Sequence, residues 1–259
     1  MVELENKYRI GVRRFGLINW VGAYNLYKKE VLRFIIVSGQ TLLGPILTSI
    51  LFLIVISLAI GDERSDVLGV PYIEFLANGL IMMQVIQQSF SHSSSSLMMS
   101  KMMGTIIDIV NSPLSAAEVT IALVLASITR GLCIAFISTV IFVLFLDLSI
   151  QNYFLWFLYL FLAGFFLGSA GIIAGLYADK FDQMATVTNF VIVPLSFLSG
   201  TFYSIEKLPD ILKTLSYYNP FFHMIDGFRY SFIGQSDGSI KFGIIFLLII
   251  SFITWYILI

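Results

Sequence analysis

Arg130 lies within a long apolar stretch, from Val119 to Leu146. At the centre of a membrane helix a guanidinium is unfavourable by roughly 2.5 to 3.5 kcal/mol on insertion scales, so it must find partners. Two roles are open to it: a structural pair or a set of backbone carbonyls, or the lining of a polar path. Glu74 is a less costly residue of the same kind, near the end of another apolar run. Asp226 and Arg229 are spaced i, i+3 and can pair, which would ease partial immersion of both in lipid. Conventional catalytic constellations are missing. There is no G-x-x-x-x-G-K-[ST] phosphate loop and no H-E-x-x-H metal motif. The histidines, His92 and His223, lie far apart in the chain, and the serines from Ser91 to Ser96 read as a polar helix end. Gly168-Ser169-Ala170-Gly171 has the outline of a nucleophile turn, but neither histidine is placed to activate Ser169. Cys133 is the single cysteine, so neither an intrachain disulfide nor a cysteine metal site can form. The sequence therefore predicts a protein that is not an enzyme, with no metal and no cofactor of its own.

These residues must be positioned by helices in a membrane. Of 259 residues, 58% are apolar and 12% charged, about half the charged share of a soluble domain. Mean hydropathy is +0.91. A net charge of -1 argues against a nucleic-acid partner. Apolar runs at about 34–60, 73–98, 117–146, 153–177, 184–203 and 240–259 are long enough to cross hydrocarbon. They are apolar on every face, which predicts an all-α polytopic protein with six transmembrane helices rather than a barrel. Residues 1–259 read as one membrane domain, with 1–33 a cytoplasmic or interfacial segment. With the N-terminus inside, the inner segments hold Lys7, Arg9, Arg13, Arg14, Lys28, Lys29, Arg33, Lys101 and Lys180. The outer ones hold Arg64, Lys207, Lys213, Arg229 and Lys241. The excess predicts a cytoplasmic N-terminus, and the basic N-terminal segment is too long for a cleaved signal.

Several segments are not plain spans. Over 17–34, Leu17, Trp20, Tyr24, Tyr27 and Val31 share one helical stripe opposite Asn25, Lys29 and Arg33, which predicts an amphipathic helix in the interface. It can be a simple anchor, a docking element, or both. The loop 99–116 opens on methionines, continues through Ile106-Ile107-Asp108-Ile109-Val110, and turns at Pro113-Leu114 before a Ser115/Glu118 capping box. It reads as a short helix and turn suited to packing on a partner, or its methionines are only the lipid-facing end of the second span. Between 204 and 239, Ile205, Leu208, Ile211, Leu212 and Leu215 form one apolar face, and Asn219 and Pro220 open a second helix too short to cross. A pair of outer re-entrant helices is predicted. Gly164, Gly168, Gly171 and Gly175 form one stripe, for packing within the chain or for a seam between two copies.

The ordered set of fragments resembles the ABC-2 type transporter permease family, and within it the bacterial inner-membrane exporters. The match runs from Lys29-Glu30-x-x-Arg33-Phe34, Gln40-Thr41-Leu42 and Pro45 through Gly79-Leu80-Ile81-Met82-Met83, Arg130-Gly131 and Phe181-Asp182 to Pro194-Leu195. It continues with Leu198-Ser199-Gly200-Thr201-Phe202-Tyr203-Ser204, Leu208-Pro209, Asn219-Pro220 and Asp226-Gly227-Phe228-Arg229-Tyr230. The resemblance implies a half-transporter: two such chains pair, and two cytoplasmic ABC ATP-binding subunits, which carry ATP and Mg, dock beneath them. It places the docking contacts on about 17–31 and 101–115. Lys28, Lys29, Met102, Ile106, Asp108, Pro113 and Leu114 are the candidates there. The outer gate falls on 204–235, with Asn219, Pro220, Asp226 and Arg229. Arg130 and Glu74 are candidates for the translocation path or for buried pairing. The chain departs from the family in having almost no tail after the sixth span. The function expected is the permease subunit of an ATP-driven exporter for an amphipathic, lipid-linked or drug-like substrate. The alternative is a passive channel or scaffold without an ATPase.

Overall fold

A computed structural model describes residues 18–60, 66–146 and 148–259. Leu17 of the amphipathic stripe, and Lys7, Arg9, Arg13, Arg14 and Arg64 of the charge balance, lie outside the described residues. Among those described there is no β-strand, only an isolated bridge between Val67 and Val70. In chain order the α-helices are α1 (Trp20–Ile36), α2 (Gly44–Ile60), α3 (Tyr72–Met102), α4 (Ile106–Val110), α5 (Ala116–Phe145), α6 (Tyr153–Tyr177), α7 (Phe181–Val187), α8 (Val193–Leu198), α9 (Asp210–Tyr217), α10 (Pro220–Ile233) and α11 (Ile240–Tyr256). A π-helical turn, Gly39–Leu43, leads into α2, and another, Thr188–Ile192, joins α7 to α8.

Among the described residues, four helical stretches are long and apolar enough to cross a membrane: Gly39–Ala59, Ala116–Phe145, Tyr153–Tyr177 and Phe181–Leu198. Ile240–Tyr256 is apolar but shorter. Tyr72–Met102 is the longest helix at 31 residues, and its apolar residues are mixed with Gln84, Gln87, Gln88 and the serines of its second half. That polarity is accommodated because α3 is the buried centre of the bundle, packed most extensively on α6 and α5 and also against α2, α10 and α8. The helix also runs through Met98, Met99 and Met102, so the loop expected from residue 99 begins at Met103.

Helix starts and stops follow local chemistry. Asn19 caps α1, its Oδ1 accepting from the Gly22 amide at 3.0 Å. Asn152 caps α6 the same way, accepting from Leu155 at 3.1 Å. Ser115 and Glu118 form the expected capping box at α5. The α6 C-terminus is closed by Lys101, whose Nζ donates to the carbonyls of Gly175 (3.2 Å), Leu176 (2.5 Å) and Ala178 (2.8 Å).

The glycine stripe of α6 packs within the chain. A Cβ on Gly168 would stand 2.2 Å from Ser127 Oγ of α5, and one on Gly171 would stand 2.5 Å from the Phe90 carbonyl of α3. Backbone approach at this distance has no room for a methyl group. Gly171→Ala should therefore be destabilising by about 1–3 kcal/mol, seen as a lower unfolding midpoint in detergent. Gly39→Ala meets nothing within 4 Å and should leave the midpoint where it is.

Candidate functional site

The two segments expected to dock a partner come together. Asn19 Nδ2 donates to the Pro113 carbonyl at 3.0 Å, and the Asn19 amide donates to Glu118 Oε1. The other carboxylate oxygen, Oε2, accepts from the Ser115 amide at 2.7 Å. One carboxylate thus caps the starts of α1 and α5, where unpaired amides and the helix dipoles both favour an anion. Between α1 and the 103–115 loop opens a cleft of about 820 Å³, bordered by Trp20, Val21, Asn25, Lys29, Asp108, Pro113 and Leu114. Of the candidate docking residues, Lys29, Asp108, Pro113 and Leu114 line it. Lys28 and Met102 are exposed outside it, and Ile106 is half-buried. Of the aromatic stripe of α1, Trp20 and Tyr24 face outward, with Trp20 72% exposed, while Tyr27 and Val31 are half-buried. A different face, Leu26, Glu30 and Phe34, packs on the protein.

Glu30, a member of the Lys29-Glu30-x-x-Arg33-Phe34 fragment with no site role expected from the sequence, is buried to 1% exposure. Its Oε2 accepts from Arg33 Nε at 3.0 Å and from Ser96 Oγ at 2.7 Å, and lies 3.9 Å from His92 Nε2. Arg33 also donates to the His92 carbonyl at 3.0 Å, and Phe34 meets the His92 ring edge-on. This clamp fastens the C-terminal half of α1 to α3. The i, i+3 spacing of Glu30 and Arg33 was its signal in the sequence. The serines around His92, read as a polar helix end, are largely buried contacts of α3.

Arg130 is 6% exposed. Its guanidinium donates to Gln88 Oε1 of α3 and, at 3.3 Å, to the Thr41 carbonyl in the π-helical turn. Pro45 has no N–H to offer that carbonyl four residues back, so Arg130 serves a group that a proline leaves short of a donor. Glu74 is not its partner. It sits almost four helical turns before Gln88 on α3, about 20 Å away at 1.5 Å per residue. There it lines a small cleft with Pro71, Ile73 and Val143–Leu146.

Asp226 and Arg229 are both buried, but they do not form the expected ion pair. Asp226 accepts from the Asp237 and Gly238 amides, each at 2.9 Å. Arg229 donates to the Gly200 carbonyl at 2.8 Å and lies 3.6 Å over the Phe75 ring. Two amides in a tight loop and one carbonyl at a left-handed glycine are nearer and better directed than the side chain one turn away. Asn219 caps α10 as expected, its Oδ1 accepting from Phe221 at 3.0 Å and its Nδ2 donating to Ser199 Oγ at 2.8 Å. Pro220 opens the helix. The apolar face predicted across 205–215 divides, with Ile205 fully buried and Ile211, Leu212 and Leu215 exposed. Asp237, missed in the sequence, joins these parts through Ser204 Oγ (2.6 Å) and the Ile205 amide (3.0 Å). No cluster of three or more His, Cys, Asp or Glu side chains forms among the described residues.

The family profile described as ABC-2 type transporter matches residues 23–233. The inner membrane transport permease YadH of Escherichia coli K12 is 32% identical over 235 residues, which cover 90% of this chain and 92% of that protein. Nodulation protein J of Neorhizobium galegae is 23% identical over 234 residues, 85% of this chain and 83% of its own. That of Rhizobium leguminosarum bv. trifolii is 25% identical over 244.

Arg229→Met would remove a charged hydrogen bond and a desolvated cation–π contact. We expect a loss of about 2–4 kcal/mol, measured as a fall in the unfolding midpoint in detergent. Asp226→Asn should be milder, because the amide oxygen still accepts one of the two backbone hydrogen bonds.

Proposed function

The chain belongs to the ABC-2 type transporter family, and we propose that it is the membrane subunit of an ATP-driven exporter in the bacterial inner membrane. In this reading two copies pair, and two ABC ATP-binding subunits dock on their cytoplasmic faces. ATP and Mg are bound there and not by this chain. The substrate is amphipathic, lipid-linked or drug-like, and it crosses without a catalytic residue of this chain. Relatives described as transport permeases support the transport role.

The observation that carries the docking part is the cleft between α1 and the 103–115 loop. It pairs exposed apolar groups, Trp20 and Val21, with opposite charges, Lys29 and Asp108, on facing walls. A helix of a soluble partner could bury its apolar face there while its polar flanks meet the two charges. ATP-driven closure of the partners would then displace the cleft and, with it, the membrane helices.

The proposal keeps one domain over residues 1–259, six spans and a cytoplasmic N-terminus. In support, each of the six expected runs overlaps a helical stretch: Gly39–Ala59, α3, α5, α6, Phe181–Leu198 and α11. Helices α9 and α10 are then the re-entrant pair over the outer mouth, held by Asn219, Pro220, Asp226 and Arg229. In this reading Arg130, bonded to the Thr41 carbonyl, steadies the π-helical turn of the first span beside the path. The low burial of Gly39–Ala59 and Phe181–Leu198 supports these two as the faces toward a second copy or lipid.

Mild solubilisation of the tagged chain from its native membrane, followed by mass spectrometry, tests the coupling. A stoichiometric soluble protein with a phosphate loop is expected, and Asp108→Lys with Pro113→Ala should release most of it. Purification of the chain alone, under conditions that keep known complexes intact, would shift the reading to a channel or scaffold. For topology, alkaline phosphatase fused after Ser149 should be active in the periplasm, and fused after Lys180 inactive. The reverse pattern would invert the orientation.

A further inference from the structure

We propose that Glu118 is a positioning residue that locks α1 and the 103–115 loop into a single moving body. Its two oxygens are divided between helix starts that lie far apart in the chain: Oε1 takes the Asn19 amide, 99 residues from Glu118, and Oε2 takes the Ser115 amide at 2.7 Å. A second bond crosses the same gap, from Asn19 Nδ2 to the Pro113 carbonyl at 3.0 Å. The Leu114 side chain packs closely on α1 beside it, since a Cβ on Gly22 would stand 2.8 Å from Leu114 Cδ2. The docking cleft lies between these walls, so the clasp fixes its width.

The clasp also gives the loop a route into the bundle. Movement of the loop pulls the N-terminal end of α1. The other end of α1 is bound to α3 by Glu30 and Arg33, through Ser96 at 2.7 Å and the His92 carbonyl at 3.0 Å. Tyr27 adds a hydroxyl contact with Thr129 of α5 at 3.0 Å. A helix fixed at both ends transmits displacement, whereas a helix free at its N-terminus would let the loop move alone. The role of the clasp in transport rests on the docking reading above; the locking of the two segments does not.

Glutamine at 118 keeps size and shape but turns one acceptor into an N–H donor facing an amide. Ser115→Ala is the control. It removes the cap hydroxyl that accepts from the Glu118 amide at 3.3 Å and leaves both carboxylate bonds in place. In a Cys133→Ser background, spin labels at Tyr24→Cys and Ile107→Cys, both exposed positions, report the separation of α1 and the loop. The chain is placed in lipid nanodiscs and the distance distribution measured by pulsed EPR. The expected result is a narrow distribution in the parent and after Ser115→Ala, broadened at least twofold by Glu118→Gln. Equal widths in all three would overturn the clasp. If Glu118→Gln does not fold, Asn19→Ala, which cuts the bond to Pro113, must broaden the distribution, or the clasp is likewise refuted.

For transmission, a label at exposed Leu212→Cys on α9 is followed in the complex with the ATP-binding subunit. ATP with vanadate should change its spectrum in the parent. Glu118→Gln should reduce that change about fivefold while the subunit stays bound. A full response in Glu118→Gln would refute the positioning role. If the parent chain binds no ATP-binding subunit, the docking reading fails and the transmission role with it, while the nanodisc distances still decide the clasp.

Discussion

Where water is absent, a polar backbone group must be paired within the protein, and a charged side chain must be paired or solvated by dipoles. In this protein the two needs are largely met by each other. Lys101 closes the carbonyl end of α6, Arg130 serves the Thr41 carbonyl at the π-helical turn, and Arg229 serves Gly200 where α8 ends. Glu118 holds the amides at the starts of α1 and α5, Asp226 those of Asp237 and Gly238, and Asp237 that of Ile205. Each of these charges lies at a place where a helix begins, ends or is interrupted. Fully compensated side-chain ion pairs would be neutral but would leave the helix ends unmet. The pair of buried Glu30 with half-buried Arg33 is the exception, and it too spends a hydrogen bond on a backbone carbonyl, that of His92.

This explains which parts of the structure were legible in the sequence. Runs that are apolar on all faces give helices almost without ambiguity, and the capping box at Ser115/Glu118 and the Asn219-Pro220 start were readable because their signals are local. The expected pairing of Asp226 with Arg229 failed because spacing along a helix reports only neighbours on that helix. The loop amides and the Gly200 carbonyl that captured them come from other parts of the chain. Glu30 was overlooked for a related reason. Its face of α1 is formed by Leu26, Glu30 and Phe34, and a glutamate in an apolar stripe marks a packing face only once Ser96 and His92 are known to lie opposite. Of the aromatic stripe, more conspicuous in the sequence, Trp20 and Tyr24 are exposed, where amphipathic rings suit an interface, while Tyr27 turns its hydroxyl to Thr129.

Rigidity is unevenly distributed. Glycines bring α6 against α3 and α5 at backbone distance, and no large side chain lies between to yield. The two stretches with least burial, Gly39–Ala59 and Phe181–Leu198, each carry a π-helical turn with a proline just beyond it, Pro45 and Pro194. A helix whose regular hydrogen bonding is already broken bends there at less cost than an intact one. The fold therefore combines a close-packed centre with two pliant outer helices, and Arg130 is the side chain that reaches from the centre to one of the weak points.

α3 connects the two ends. At 31 residues it extends about 46 Å at 1.5 Å per residue, longer than the hydrocarbon core of a bilayer. Near its C-terminal end the Glu30 clamp attaches α1. At its N-terminal end Phe75 lies under Arg229, and the Tyr72 hydroxyl donates to the Phe202 carbonyl at 3.0 Å. Close packing makes such a rod move as a whole rather than flex, so a small shift or rotation at the clamp must reappear beneath α10. On the transporter reading proposed above, this rod requires the cytoplasmic cleft and the outer cap to change together, and the local breaks in the two peripheral helices supply the compliance that lets a close-packed bundle do so.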